Sequence, residues 1–255
     1  MLTQLISFCF PNNSLHRIII HVRRLYPIYK AVIFDLDGTL IHSEIDFPKM
    51  KRRIIRLLEA SGVKSGLLTE EMLNYEIEKL ATENLTEKGL PAAEIKRILQ
   101  EVAKIMNEIE MEAINGTRIS NEAVQTLEEL KNLGFKLGII TRSCREYAIN
   151  IIEKFSLQRL IDAVAARDDV LKPKPSAEHP LHLMKILGVK PSQTVLVGDH
   201  PMDALCAQNT GIKFFLIVRT DTDLKSFKGY NYEILQNIRK ITSILSRGRS
   251  RRLTE

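Results

Sequence analysis

The apolar positions of the chain fall into short continuous runs of β-forming residues, separated by longer stretches of amphipathic texture. The first clear run, Ala31-Val-Ile-Phe34, ends at Asp35. A run without alternation reads as a strand buried on both faces, the kind found inside a parallel sheet. Runs of the same texture follow at residues 136–140, 161–164, 194–197 and 213–218. Between them the pattern predicts helices over residues 121–132, 145–155, 177–187 and 201–209. Strands alternating with helices of this length form right-handed βαβ crossovers. The predicted fold class is therefore α/β, a doubly wound and mostly parallel sheet, in which chemistry gathers at the carboxyl ends of the strands.

Residues 43–115 break the alternation, with helical patterns and no convincing strand. Ile95, Ile98, Leu99, Val102, Ile105, Met106 and Ile109 form an apolar stripe of helical period. Pro91 stands near its first turn, where proline is tolerated. Thr69-Glu70-Glu71 reads as an N-cap followed by first-turn acids of the preceding helix. The domain expectation is a core of residues 30–42 and 116–238, with a helical cap inserted at 43–115. Its place directly after the acidic end of the first strand makes the cap a candidate lid.

Composition narrows the class. The 255 residues are 44% hydrophobic, 27% charged and 6% aromatic with no Trp, which excludes collagen-like, disordered and multi-span membrane chains. No run approaches the ~20 apolar residues needed to cross a bilayer. Residues 1–29 read as an N-terminal extension of short apolar clusters mixed with Pro and Asn. The stretch from Leu5 to Phe10 is broken by Pro11 and lacks a basic n-region, so no signal peptide is expected. The net charge of +6 comes from the ends: Arg17, Arg23, Arg24 and Lys30 in front, and a basic tail over residues 239–255 behind. The body is net acidic, so nucleic acid is not an expected partner. Cys9, Cys144 and Cys206 are odd in number and widely spaced, which predicts no disulfide framework and a cytoplasmic location.

Four strand ends carry the candidate chemistry. Asp35-Leu-Asp37-Gly-Thr-Leu40 closes the first strand, and positions i and i+2 of an extended segment point the same way. Two carboxylates so close imply a bound metal, one acid held protonated, or both; an acidic turn is the bland alternative. Thr141-Arg142-Ser143 offers a hydroxyl and helix-opening N–H groups for phosphate oxygens. Lys172-Pro-Lys174-Pro175 offers a cation on a proline-fixed loop. Gly198-Asp199-His200-Pro-Met-Asp203 supplies a second acid pair of hard oxygens suited to Mg²⁺.

Taken in order, these motifs over roughly residues 30–235 resemble the haloacid dehalogenase superfamily, in its phosphoglycolate phosphatase-like branch with a helical cap. The resemblance implies a Mg²⁺-dependent phosphatase acting on a small phosphorylated metabolite. It implies Asp35 as nucleophile and Asp37 as acid/base. Thr141 would bind the phosphoryl group, and Lys172 would balance charge, favoured over Lys174 by the K-P-x-P frame. Asp35, Asp199 and Asp203 would serve the metal, and Asp37 would reach it through its backbone carbonyl. Arg142 would contact a second anionic group or lie exposed. Cys144 is read as inert packing, with oxidation there as the sharper alternative, and His200 as a helix cap. His42 and Glu44 belong to the hinge. Phosphoglycolate is the leading substrate; pyrophosphate or a nucleotide is the alternative, ahead of a phosphomutase or a non-catalytic binding protein. A monomer or dimer with no membrane partner is expected.

Overall fold

A computed structural model describes residues 29–220 and 222–250, the stretch 247–250 by backbone alone. Most of the N-terminal extension, with Cys9, lies outside the described residues. The chain opens with β1 (Ala31–Asp35), every residue of which is buried. Val32 and Phe34 pack into one apolar core and Ala31 and Ile33 into another, which is why the run shows no alternation.

After β1 comes a two-residue strand β2 (Ile41–His42), then three helices, α1 (Phe47–Ala60), α2 (Asn74–Glu87) and α3 (Ala92–Glu112). A second short strand, β3 (Arg118–Ile119), pairs antiparallel with β2 and closes the neck of this insertion. Strands this short are too brief to show a period in the sequence. Met50, Ile54 and Leu58 of α1 are buried with Ile77, Ala81 and Leu85 of α2 and with Ile95, Val102, Met106 and Ile109 of α3. These i, i+3 and i+4 rows give the insertion its own share of the core. Asp46 caps α1 by accepting from the Lys49 N–H at 2.8 Å. Helix α2 starts at Asn74 rather than after Thr69. Glu70 is spent on Arg52 and its carbonyl on Lys51, while the Glu76 carboxylate takes the Leu73 N–H at 2.8 Å and fixes the true start.

The chain then alternates through α4 (Asn121–Asn132), β4 (Lys136–Ile140), α5 (Arg145–Lys154), β5 (Ala163–Ala165), α6 (Glu178–Leu187), β6 (Thr194–Gly198), α7 (Pro201–Thr210) and β7 (Lys213–Ile217). With a short β8 (Glu233–Leu235), they complete a six-stranded sheet of order β5-β4-β1-β6-β7-β8, parallel at every pairing. This is the expected α/β class. Helices α4 and α5 cover one face, and α6 and α7 the other. β5 begins later than the apolar run predicts: Asp162 keeps a backbone bond from its N–H to the Leu137 carbonyl at 2.8 Å, but its carboxylate takes the Leu137 N–H at 2.7 Å and Lys131 at 2.8 Å.

The basic C-terminal segment is more than a solvated tail. Lys240–Ser250 is helix α8, and Ile241 and Leu245 are buried in the core shared with α4. Among the described residues no helix is long and apolar enough to cross a membrane. Ile241→Ala should lower the unfolding free energy by about 2–5 kcal/mol in denaturant titration; a loss under about 0.5 kcal/mol would contradict the docking of α8.

Candidate active site

Adjacent strands β4, β1 and β6 bring their carboxyl ends to one cavity of about 530 Å³. It is lined by Asp35, Asp37, Thr141, Arg142, Lys174, Asp199 and Asp203, among others. Gly38, at φ 91°, turns the chain sharply after Asp37. A side chain there would also collide with Asp199, since a Cβ would stand 2.3 Å from its Oδ2.

The two carboxylates of the first strand end share the cavity but not their partners. Asp35 is 6% exposed, and its Oδ1 accepts from Lys174 Nζ at 2.5 Å. Asp37 instead turns toward α5. Its Oδ1 accepts from the Tyr147 hydroxyl at 3.0 Å, and its Oδ2 from Ser143 Oγ at 2.8 Å and Thr141 Oγ1 at 3.3 Å. Close carboxylates are thus accommodated by an ammonium on one and hydroxyls on the other. Thr141 Oγ1 also accepts from the Ser143 N–H at 3.0 Å, which fixes the turn into α5.

The lysine in the cavity is Lys174, not Lys172. The Lys172 side chain is exposed and does not line the cavity. Lys174 is 3% exposed, and its Nζ reaches both Asp35 Oδ1 and Asp203 Oδ1, the latter at 2.7 Å. Its backbone is held from two sides. Its N–H donates to His179 Nδ1 at 3.0 Å, and its carbonyl accepts from Arg142 at 2.5 Å. Burial and the nearby Lys174 charge push the His179 imidazole down to about 3. It is therefore neutral, with Nδ1 as acceptor and Nε2 donating to the Ala165 carbonyl at 3.0 Å.

Asp35, Asp199 and Asp203 each offer an oxygen within 4.8 Å of the others. Thr39 Oγ1 donates to Asp199 Oδ1 at 2.8 Å, and the His200 N–H to Asp203 Oδ2 at 3.2 Å. Burial raises the Asp35 carboxyl well above its usual range; Lys174 pulls it back, and the Asp203 and Asp199 charges push it up again. Burial and Asp203 likewise raise Asp199. Three hard oxygens whose charges oppose one another are a donor set that fits a small divalent cation. The Asp37 carboxylate is outside this trio.

Neighbouring residues take other parts. Arg142 is no exposed loop residue: it lies over the Tyr75 ring, 3.9 Å from Glu78 on α2, and burial lowers its pKa. Arg167 pairs with Glu110 of α3 at 2.6 Å and donates to Asn107 and to the Arg142 carbonyl. Glu110 also accepts from the Cys144 N–H at 2.8 Å, so one carboxylate on α3 ties the insertion to the turn after β4. Burial pushes the Cys144 thiol up to about 12, the mark of an unreactive packing cysteine. His200 caps α7, its Nδ1 accepting from the Met202 N–H at 3.1 Å. His42 lines the cavity, whereas Glu44 pairs with Arg118 at the neck.

Sequence pattern alone does not choose Lys174 over Lys172, assign the Ser143 hydroxyl to Asp37, or single out Tyr147, Glu110 and Arg167. Ser143 carried a signal, being two residues after Thr141 at a helix start. Tyr147 reads as core, because it falls on the apolar face of α5 with Ala148, Ile151 and Ile152.

A family profile described as haloacid dehalogenase-like hydrolase matches residues 32–217. The pyrophosphatase PpaX of Halalkalibacterium halodurans is 38% identical over 89 residues, which are 35% of this chain and 41% of that protein. The phosphoglycolate phosphatase of Aquifex aeolicus is 29% identical over 188 residues, covering 72% of this chain and 82% of that one. The crystal structure of a haloacid dehalogenase-like protein of Bacteroides fragilis superposes with a TM-score of 0.61 at 24% identity, covering 84% of this chain and 99% of its own.

Lys174→Met leaves two buried carboxylates without their ammonium and should cost about 3–5 kcal/mol at neutral pH in denaturant titration. The deficit should shrink as pH falls, because Asp35 with its raised pKa takes up a proton and sheds the uncompensated charge. Lys172→Met should change stability by under about 0.5 kcal/mol. Equal losses in the two variants would contradict the assignment of the buried cation.

Proposed function

The chain belongs to the haloacid dehalogenase-like hydrolases and is a phosphatase of that family, and on that footing we propose that it hydrolyses a small phosphomonoester through an aspartyl-phosphate, with Mg²⁺ as cofactor. The observation that carries this reading is the buried Lys174 ammonium on Asp35 Oδ1 at 2.5 Å, beside Asp199 and Asp203. A carboxylate meets a phosphate dianion only where fixed positive charge offsets their repulsion.

With Oδ1 held by Lys174, Asp35 Oδ2 is the attacking atom. It forms a bond to phosphorus as the bond to the leaving oxygen breaks, and Asp37 gives that oxygen a proton. Water then attacks the phosphorus of the aspartyl-phosphate and loses its proton to Asp37, and the bond to Asp35 breaks to release phosphate. Thr141 Oγ1, on the cavity wall, would turn from Asp37 to a phosphoryl oxygen. Lys174 takes the charge-balancing role that the family resemblance assigned to Lys172. Asp35, Asp199 and Asp203 would hold Mg²⁺, with Asp37 able to contribute only its carbonyl. When bound, the ion supplies positive charge against the phosphoryl oxygens.

A cavity of about 530 Å³ suits a small ester. Lys51, Arg142 and His42 on its wall favour a polar or anionic leaving group. Phosphoglycolate is the leading candidate, in line with the Aquifex relative's name. The name of the Halalkalibacterium relative makes pyrophosphate the second.

Phosphate release should be assayed across phosphoglycolate, pyrophosphate, sugar phosphates and nucleotides with Mg²⁺ present. Asp35→Asn should abolish turnover of every compound used, with the circular dichroism spectrum unchanged. EDTA should abolish wild-type activity, and Mg²⁺ but not Ca²⁺ should restore it. Turnover by Asp35→Asn would sink the covalent mechanism, and full activity in EDTA the metal assignment.

A further inference from the structure

Tyr147 is a fully buried tyrosine whose hydroxyl ends 3.0 Å from Asp37 Oδ1. Among the described residues its one other neighbour of hydrogen-bonding type is Thr117 Oγ1 at 3.5 Å, and Thr117 commits its own proton to the Ala113 carbonyl at 2.9 Å. The phenolic proton therefore has Asp37 Oδ1 as its acceptor. Ser143 and Thr141 differ in kind: both line the cavity, and their hydroxyls can swing to a ligand. Tyr147 does not line it.

We propose that Tyr147 is a positioning residue for proton transfer: by holding Asp37 Oδ1 from behind, it leaves Oδ2 as the oxygen that carries the proton to the leaving group. This rests on the assignment of Asp37 as acid in the preceding section. In that step the proton passes from Asp37 Oδ2 to the bridging oxygen as the P–O bond breaks and Asp35 Oδ2 bonds to phosphorus. Without the phenol the carboxyl group rotates about its side-chain torsions, and fewer bound complexes present Oδ2 at hydrogen-bond distance. Helix α5 supplies the rigidity. Its start is fixed by the Cys144 N–H on Glu110, and Tyr147 packs in the core with Ala148 and Ile151.

The test compares two aryl phosphates of the same shape that differ in their need for a proton. Phenol, with a pKa near that of a tyrosine side chain at about 10, leaves poorly as an anion, whereas 4-nitrophenol is far more acidic and leaves readily. The parameter is kcat/KM, which covers steps through formation of the aspartyl-phosphate and omits its hydrolysis. In Tyr147→Phe, kcat/KM for phenyl phosphate should fall about ten- to a hundredfold, and that for 4-nitrophenyl phosphate far less. Asp37→Asn should show the same selectivity more strongly. Equal losses on both substrates would overturn the proposal and leave Tyr147 a packing residue, as would no loss on either. Asp35→Asn serves as the separate control: activity there would mean that the covalent mechanism, rather than the role of Tyr147, has failed.

Discussion

One buried ammonium holds the site together. Lys174 Nζ lies between Asp35 and Asp203, at 2.5 and 2.7 Å, almost wholly removed from water. Asp35 at the end of β1 and Asp203 in the first turn of α7 face it from two sides, and their like charges would repel at this spacing without it. The rest of the local structure follows from delivering that charge. His179 and Arg142 grip the backbone of Lys174 on opposite sides, and the helix α7 start offers Asp203 from its first turn. Gly38 keeps the approach to Asp199 open. A phosphoryl group entering here meets fixed positive charge and a carboxylate oxygen in a cavity walled by protein, where electrostatic terms are stronger than in water.

The two acids of the first strand are separated by environment rather than by distance along the chain. Asp35 faces a cation and two other acids; Asp37 faces three hydroxyls. That difference gives otherwise identical side chains different electrostatic surroundings, on which the proposed roles in attack and proton transfer rest. The helical insertion joins the same arrangement, because Glu110 of α3 binds both Arg167 and the Cys144 N–H at the start of α5. A movement of the insertion would therefore be felt at the turn that carries Thr141 and Ser143.

Much of this was legible in the sequence, for physical reasons that also mark where legibility stops. Strands buried on both faces announce themselves as apolar runs, and their carboxyl ends fix where Asp35, Thr141 and Asp199 must lie. The Lys-Pro-Lys-Pro loop repeats itself, so spacing alone could not say which lysine turns inward; the deciding contacts come from His179 and Arg142, on other elements. Tyr147 sits among apolar neighbours on α5, and only its hydroxyl distinguishes it from core. Strands β2, β3 and β8 are two or three residues long, below the length at which alternation can be read. Helix α8 was hidden by the basic residues around Ile241 and Leu245, since charge dominates the composition of that segment while two apolar side chains do the docking.

The central claim is that Asp35 becomes covalently phosphorylated, and Asp37→Asn mixed rapidly with 4-nitrophenyl phosphate tests it most directly. The good leaving group lets the first step proceed, and loss of the base stalls the second. The account predicts a burst of one nitrophenol per site and, after a borohydride quench, reduction of residue 35 to homoserine seen by peptide mass. Nitrophenol release in steady turnover with Asp35 unmodified would contradict it.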